Sequence, residues 1–224
     1  MAILGFTNRT ENWKTAQHFA PLFGANSVRL ARQLLAHDEE ERAKLHPGDV
    51  RLELFWYGLR DYFHGRTESV KEQEKQLAGV YRVQFGKVRQ QVEKFVEAGK
   101  LRELTEDNYR ASSDDQMRRL RNNLRNTEID IVLESPNHLF IGEAKHQSDF
   151  GGNSEYILAH QLIRQYVMAS ILTKSPNRGV TVVPFVVGDS RAELKKQHQV
   201  DFMLCQGWMR EENVLEWSDI EALR

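Results

Sequence analysis

The chain is predicted to be an α/β protein, with a mixed central β-sheet flanked by helices behind a helical N-terminal region. Three observations lead there. Apolar residues recur at helical spacing through the first half, residues 128–145 alternate like two strands around a turn, and helix-like and strand-like segments alternate beyond them.

In the first half, residues 27–46 place Val28, Leu30, Ala31, Leu34 and Leu35 near a 3.6 period, with a polar second half. Pro47-Gly48-Asp49 breaks that pattern, and Asp49 suits the cap of a next helix over about 50–64, rich in Phe55, Trp56, Tyr57, Tyr62 and Phe63. The longest periodic stretch is 68–98, where Leu77, Tyr81, Val88, Val92, Phe95 and Val96 recur between Lys, Glu and Gln. Gly79 and Gly86 interrupt it, and Ala98-Gly99-Lys100 reads as its end. Such a helix is ~45 Å long at 1.5 Å per residue, suited to packing or dimerisation.

The character changes after residue 127. Glu128–Glu134 (EIDIVLE) reads as a strand, Ser135-Pro136-Asn137 as a turn and His138–Lys145 (HLFIGEAK) as a second strand, together a hairpin. A glycine-rich loop at 151–153 leads to a helix over about 154–173. A buried strand at 180–187, a polar helix near 190–198 and an apolar strand around 200–205 follow. The expected division is a helical region over 1–110 and an α/β core over 111–224.

Composition sets outer bounds. Hydrophobic residues are 40% and charged residues 28% of 224, a balance that suits a folded core and excludes a disordered chain. No apolar run approaches the ~18–20 residues of a spanning helix, and the N-terminus does not read as a signal peptide. One cysteine, Cys205, rules out an internal disulfide; a cytoplasmic location is expected, with Cys205 a small buried hydrophobe. Net charge is −1, from 31 Lys+Arg against 32 Asp+Glu, so no histone-like binder is indicated. No P-loop or zinc-knuckle spacing is present.

The chemistry sits in the hairpin. Side chains two apart share a strand face, which groups Leu139, Ile141, Glu143 and Lys145, and separately Asp130 with Val132 and Glu134. A tight hairpin brings Asp130 beside Glu143 and Lys145, two acids and a lysine ending an apolar face. Hard oxygens of this kind hold Mg²⁺ or Mn²⁺, which polarises a phosphoryl oxygen and acidifies bound water. Asp130 and Glu143 are the candidate metal ligands, with the carbonyl of Ala144 a third. Lys145 is the candidate water-activating or charge-stabilising residue. The plainer alternative, a surface Glu–Lys pair, fits less well because an Asp stands on the adjoining strand and apolar residues surround both.

The pattern EIDIVL, turn, HLFIGEAKH resembles the core of the PD-(D/E)xK nuclease superfamily, the restriction-endonuclease-like fold, over about residues 120–190. The resemblance implies a sheet with helices on both sides and cleavage of DNA or RNA with a divalent metal. It sets the first-motif Asp at Asp130 and the Glu-x-Lys at Glu143 and Lys145. Ile129 stands where a proline often precedes that Asp. It also implies a Gln on the next helix, best matched by Gln161, with Gln165 one turn later on the same face. The Gln-x3-Tyr spacing of one branch is not met, since Tyr166 lies five residues after Gln161. A Glu on a helix before the sheet would complete the metal shell. Glu53 is chosen, because an acid between Leu52, Leu54 and Phe55 needs a partner if buried, with Glu39–Glu41 as alternatives.

Arg164 on that helix, and Arg118, Arg119, Arg121 and Arg125 before the Asp strand, suit phosphate contacts. His146 is expected to face away from Lys145, and His138 to be structural or exposed. The functional expectation is a Mg²⁺- or Mn²⁺-dependent endonuclease, on DNA rather than RNA, in defence, mobile-element or repair biology. It carries no membrane partner, and the long helix allows a homodimer. The alternatives are a non-cutting nucleic-acid-binding or scaffolding module on the same fold, and a helical dimer whose 68–98 segment is the functional surface.

Overall fold

The computed structural model describes residues 10–57, 127–146, 150, 160–173 and 179–224. Among them five strands form one mixed sheet: β1 (Arg51–Trp56), β2 (Ile129–Glu134), β3 (His138–Ala144), β4 (Thr181–Gly188) and β5 (Val214–Glu216), side by side in that order. β1, β2 and β3 are antiparallel neighbours; β3, β4 and β5 run parallel. The helices are α1 (Thr10–Phe19), α2 (Ser27–Leu34), α3 (Glu39–Lys44), α4 (Gln161–Thr173), α5 (Arg191–Lys196), α6 (His198–Cys205) and α7 (Trp217–Glu221).

Helices cover both faces of the sheet, because alternate strand residues are apolar on both sides. One core joins Phe19, Leu30, Leu34 and Ile220 from the helices to Leu133, Phe140 and Phe185. The other joins Val132 and Ile141 to Leu162, Ile163 and Met168 of α4 and to Val200, Phe202 and Met203 of α6. All seven residues of β3 are buried, as expected of a central strand covered on both faces. Pro184 lies in β4 without breaking it. β5 pairs only with Val186–Gly188, and at Pro184 the Asn213 side chain donates to the proline carbonyl instead.

The hairpin turn is as read: Ser135 N–H donates to the His138 carbonyl at 2.9 Å, and its hydroxyl oxygen accepts from His138 N–H at 3.1 Å. The helix over 161–173, the strand over 181–188 and the polar helix after Ser190 also agree with the sequence reading.

Three expectations are corrected. Residues 51–56 form a strand, not part of a helix: the aromatic run hides a period of two, with Leu52 buried between exposed Arg51 and Glu53. The stretch 27–46 is two helices, parted where Asp38 caps α3 by accepting from Glu41 N–H at 3.0 Å. The apolar run at 200–205 is helical, because Val200 and Met203 lie three apart on one buried face, and its Cys205 is exposed. The short β5 went unread. The expected helix over 68–98 lies outside the described residues. No helix among the described residues is long and apolar enough to cross a membrane.

Candidate functional site

The site forms where β2 leaves β3. Pairing between them ends at Ile131↔Gly142, so the next step of the register sets Asp130 opposite Glu143. There the Asp130 side chain takes the place of a backbone acceptor: its Oδ2 accepts from Ala144 N–H at 3.0 Å. The same row is irregular on the other side. Phe55 on β1, between the pairs Leu54↔Ile131 and Trp56↔Ile129, holds φ 57°, a left-handed conformation unfavourable for a bulky residue. Across it both strands change sides: Ile131 lies in the core under α1 and α2, Ile129 and Trp56 in the core under α4. Asp130 sits at this bend and is only partly buried.

Glu143 is 1% exposed, and both its oxygens are held. Lys145 Nζ donates to Oε1 at 2.5 Å, and Gln165 Nε2 of α4 donates to Oε2 at 2.6 Å. The same Gln165 amide also donates to the Glu128 carbonyl at 2.9 Å, tying α4 to the start of β2. A charge this deep is tolerated only when paired and hydrogen-bonded, and this one is. Lys145 is itself buried, with its ammonium 5.1 Å from the centre of the Phe150 ring. Gln199 of α6 steadies that arrangement, accepting from Leu162 N–H at 2.9 Å and donating to the Phe150 carbonyl at 3.2 Å.

The structure therefore brings Asp130, Glu143, Lys145 and Ala144 together, and adds Gln165. Gln161 begins α4, partly exposed, and the contact with Glu143 is made one turn later. Glu53 is on a strand rather than a helix and is exposed. The register pairs it with Val132, so the burial that recommended it is absent. Arg164 Nε donates to the Thr127 hydroxyl at 3.0 Å; burial pulls its pKa below the ordinary arginine value, with the Glu143 charge opposing. Arg118, Arg121 and Arg125, with Arg119, lie outside the described residues.

His146 turns away from Lys145, as strand alternation predicts. Its Nδ1 meets Asp189 Oδ1 at 3.1 Å and its Nε2 meets the Lys14 ammonium of α1. His138, at the far end of β3, is buried and stacked on Phe140, 3.9 Å from Glu41. Sequence reasoning missed Phe150 and Gln199. A glutamine beside the apolar run Val200–Cys205 was the one available signal for the second.

Among the described residues no group of three or more His, Cys, Asp or Glu side chains gathers as a ready metal cage. Two opposed carboxylates fit a harder, more hydrated ion. Mg²⁺ characteristically binds through one or two carboxylates and completes its shell with water and substrate phosphate. No protein-family model, curated protein or solved structure matches the chain.

Proposed function

We propose that the chain is a metal-dependent nuclease of the PD-(D/E)xK kind, with a restriction-endonuclease-like core, that hydrolyses phosphodiester bonds in DNA. The observation that carries this reading is the buried Glu143 carboxylate, gripped by Lys145 and Gln165 at the row where Asp130 faces it across the hairpin.

Asp130 and Glu143 would hold Mg²⁺ or Mn²⁺, with the Ala144 carbonyl a further oxygen. When bound, the ion supplies Lewis acidity toward the phosphoryl oxygen and toward water. The residues divide the remaining work. Lys145, buried beside Glu143, places a fixed positive charge where negative charge develops on the phosphorane-like oxygens, and it orients the attacking water. Gln165 holds the Glu143 carboxylate in one orientation. The Ala144 N–H does the same for Asp130. Arg164 of α4, which feels the Glu143 charge, would contact the phosphate flanking the cut.

The test is incubation of the full chain with plasmid, linear duplex, single strands and RNA, with Mn²⁺ and with a chelator. Cleavage of at least one DNA form that needs metal, and is lost in Asp130→Ala, Glu143→Ala and Lys145→Ala, supports the reading. Binding without cleavage in Mn²⁺ favours a non-cutting module on this fold.

A further inference from the structure

Trp13 on α1 is 67% exposed, the most exposed large apolar side chain among the described residues. A single exposed indole is unremarkable by itself. Its neighbour gives it meaning. Lys14 carries its ammonium to His146 Nε2, and His146 directly follows Lys145. The other ring nitrogen of His146, Nδ1, meets Asp189 Oδ1 at 3.1 Å. The contact fixes where the lysine ammonium sits. Among the described residues no carboxylate pairs with Lys14.

The placement is directional. Glu143 and Ala144 end β3, Lys145 follows it, Asp189 follows the end of β4, and these carboxyl ends share one edge of the sheet. In parallel α/β sheets that edge is where ligands bind. Gln165 and Arg164 border it from the α4 side, and Lys14 and Trp13 belong to α1, whose Phe19 packs in the core on the opposite face. Lys14 thus brings a cation to this edge, and the neighbouring residue along α1 carries an open aromatic ring. That combination, positive charge along the backbone path and a π-face for a base, is how single strands are held without sequence preference.

We propose that Trp13 and Lys14 bind a single nucleic-acid strand beside the hydrolytic site, Lys14 on a phosphate and Trp13 stacked on an unpaired base. The inference rests on the nuclease reading and specifies its substrate as single-stranded or unpaired at the cut.

Tryptophan fluorescence tests it without any cleavage. Of the four tryptophans, Trp56 and Trp208 are partly buried and Trp217 is buried beneath His18, so Trp13 alone is open to a stacking base. The full chain is titrated with oligo(dT), and with duplex of equal length, in a chelating buffer. Oligo(dT) quenches the emission and binds more tightly than duplex. Trp13→Phe removes the quenching while keeping most of the affinity, and Trp13→Ala weakens binding about 5- to 150-fold. Lys14→Gln lowers the slope of log affinity against log salt by about 0.7, one phosphate's share on a single strand.

Quenching that survives in Trp13→Phe, duplex bound as tightly as oligo(dT), or a spectral shift that depends on protein concentration alone would overturn the proposal; the last would assign Trp13 to contact with a second copy. The two readings fail separately. A chain that cleaves metal-dependently but binds oligo(dT) equally as Trp13→Ala loses this inference alone. One that is quenched through Trp13 yet never cleaves loses the nuclease reading alone.

Discussion

Gln165 donates to Glu143 at 2.6 Å from a helix more than twenty residues further along the chain, and the same amide reaches the Glu128 carbonyl at 2.9 Å. One side chain thus couples α4, β2 and the buried acid of β3. Truncation to Gln165→Ala leaves the Glu128 carbonyl and one Glu143 oxygen short of a donor, which costs about 1–3 kcal/mol. Positioning partners of this kind typically contribute 10- to 100-fold to activity or metal affinity. The expected outcome is a fall of that order in kcat with KM for nucleic acid little changed, and no rescue by Gln165→Asn, whose amide is one methylene short of both acceptors. Steady-state kinetics beside urea unfolding separates the two effects.

The Glu143–Lys145 pair is buried, so removing both charges together should separate stability from activity. Lys145→Met strands the carboxylate and destabilises by about 3–5 kcal/mol. The double variant Glu143→Leu with Lys145→Met removes both charges and recovers most of that stability, while cleavage falls by on the order of 100-fold or more. Chemical denaturation of the single and double variants checks this. A double variant no more stable than Lys145→Met would show that the loss in the single variant does not come from a stranded Glu143 charge.

Gly142, immediately before Glu143, is there for space. A Cβ at that position would lie 2.2 Å from the tip of the Phe185 ring, which is fully buried. Gly142→Ala therefore overpacks the sheet and destabilises by about 1–3 kcal/mol or more. Phe185→Leu, itself destabilising by loss of packing, should relieve part of the penalty when combined with it. A double-mutant cycle on thermal or urea unfolding measures that coupling.

Two histidines make the fold weaker in acid. Burial lowers the pKa of His138 below its usual 6.5, opposed by Glu41 and Asp38 and aided by His37 and Lys44. Burial likewise lowers His18, against the pull of Glu221. A histidine depressed in the folded state prefers to be neutral there. Its contribution is complete above about pH 6.5 and is lost as pH falls from there through the folded value. Stability should decline over that acid range, and His138→Phe, which keeps the stack on Phe140, should flatten the decline. Unfolding free energy measured from pH 7.5 downward decides it.

The hairpin and its triad were readable because strand alternation and a short turn are local signals, and Asp130, Glu143 and Lys145 all fall within one such unit. β4 was legible for a similar reason, as a continuous apolar run covered on both faces. What local pattern could not settle was tertiary. Glu53 sits in a stretch whose aromatics suit helix or strand equally, and only the pairing of Leu52 with Leu133 makes it an edge strand. The choice between Gln161 and Gln165 depends on how far α4 is rotated and advanced over β3, which no residue spacing states. The run at 200–205 is too short for period to separate helix from strand. Lys14 and His146 lie 132 positions apart, so their meeting could be seen only in the fold.

Asp130→Asn offers the most direct test of the hydrolytic reading. The residue is only partly buried, and an asparagine oxygen can still accept from Ala144 N–H, so the fold is preserved while one ligand charge is removed. Single-turnover cleavage of labelled DNA in Mg²⁺ should fall by on the order of 100-fold or more in this variant relative to the wild-type chain. Equal rates in the two proteins, under conditions where the wild type cuts, would contradict a metal site built on Asp130 and Glu143.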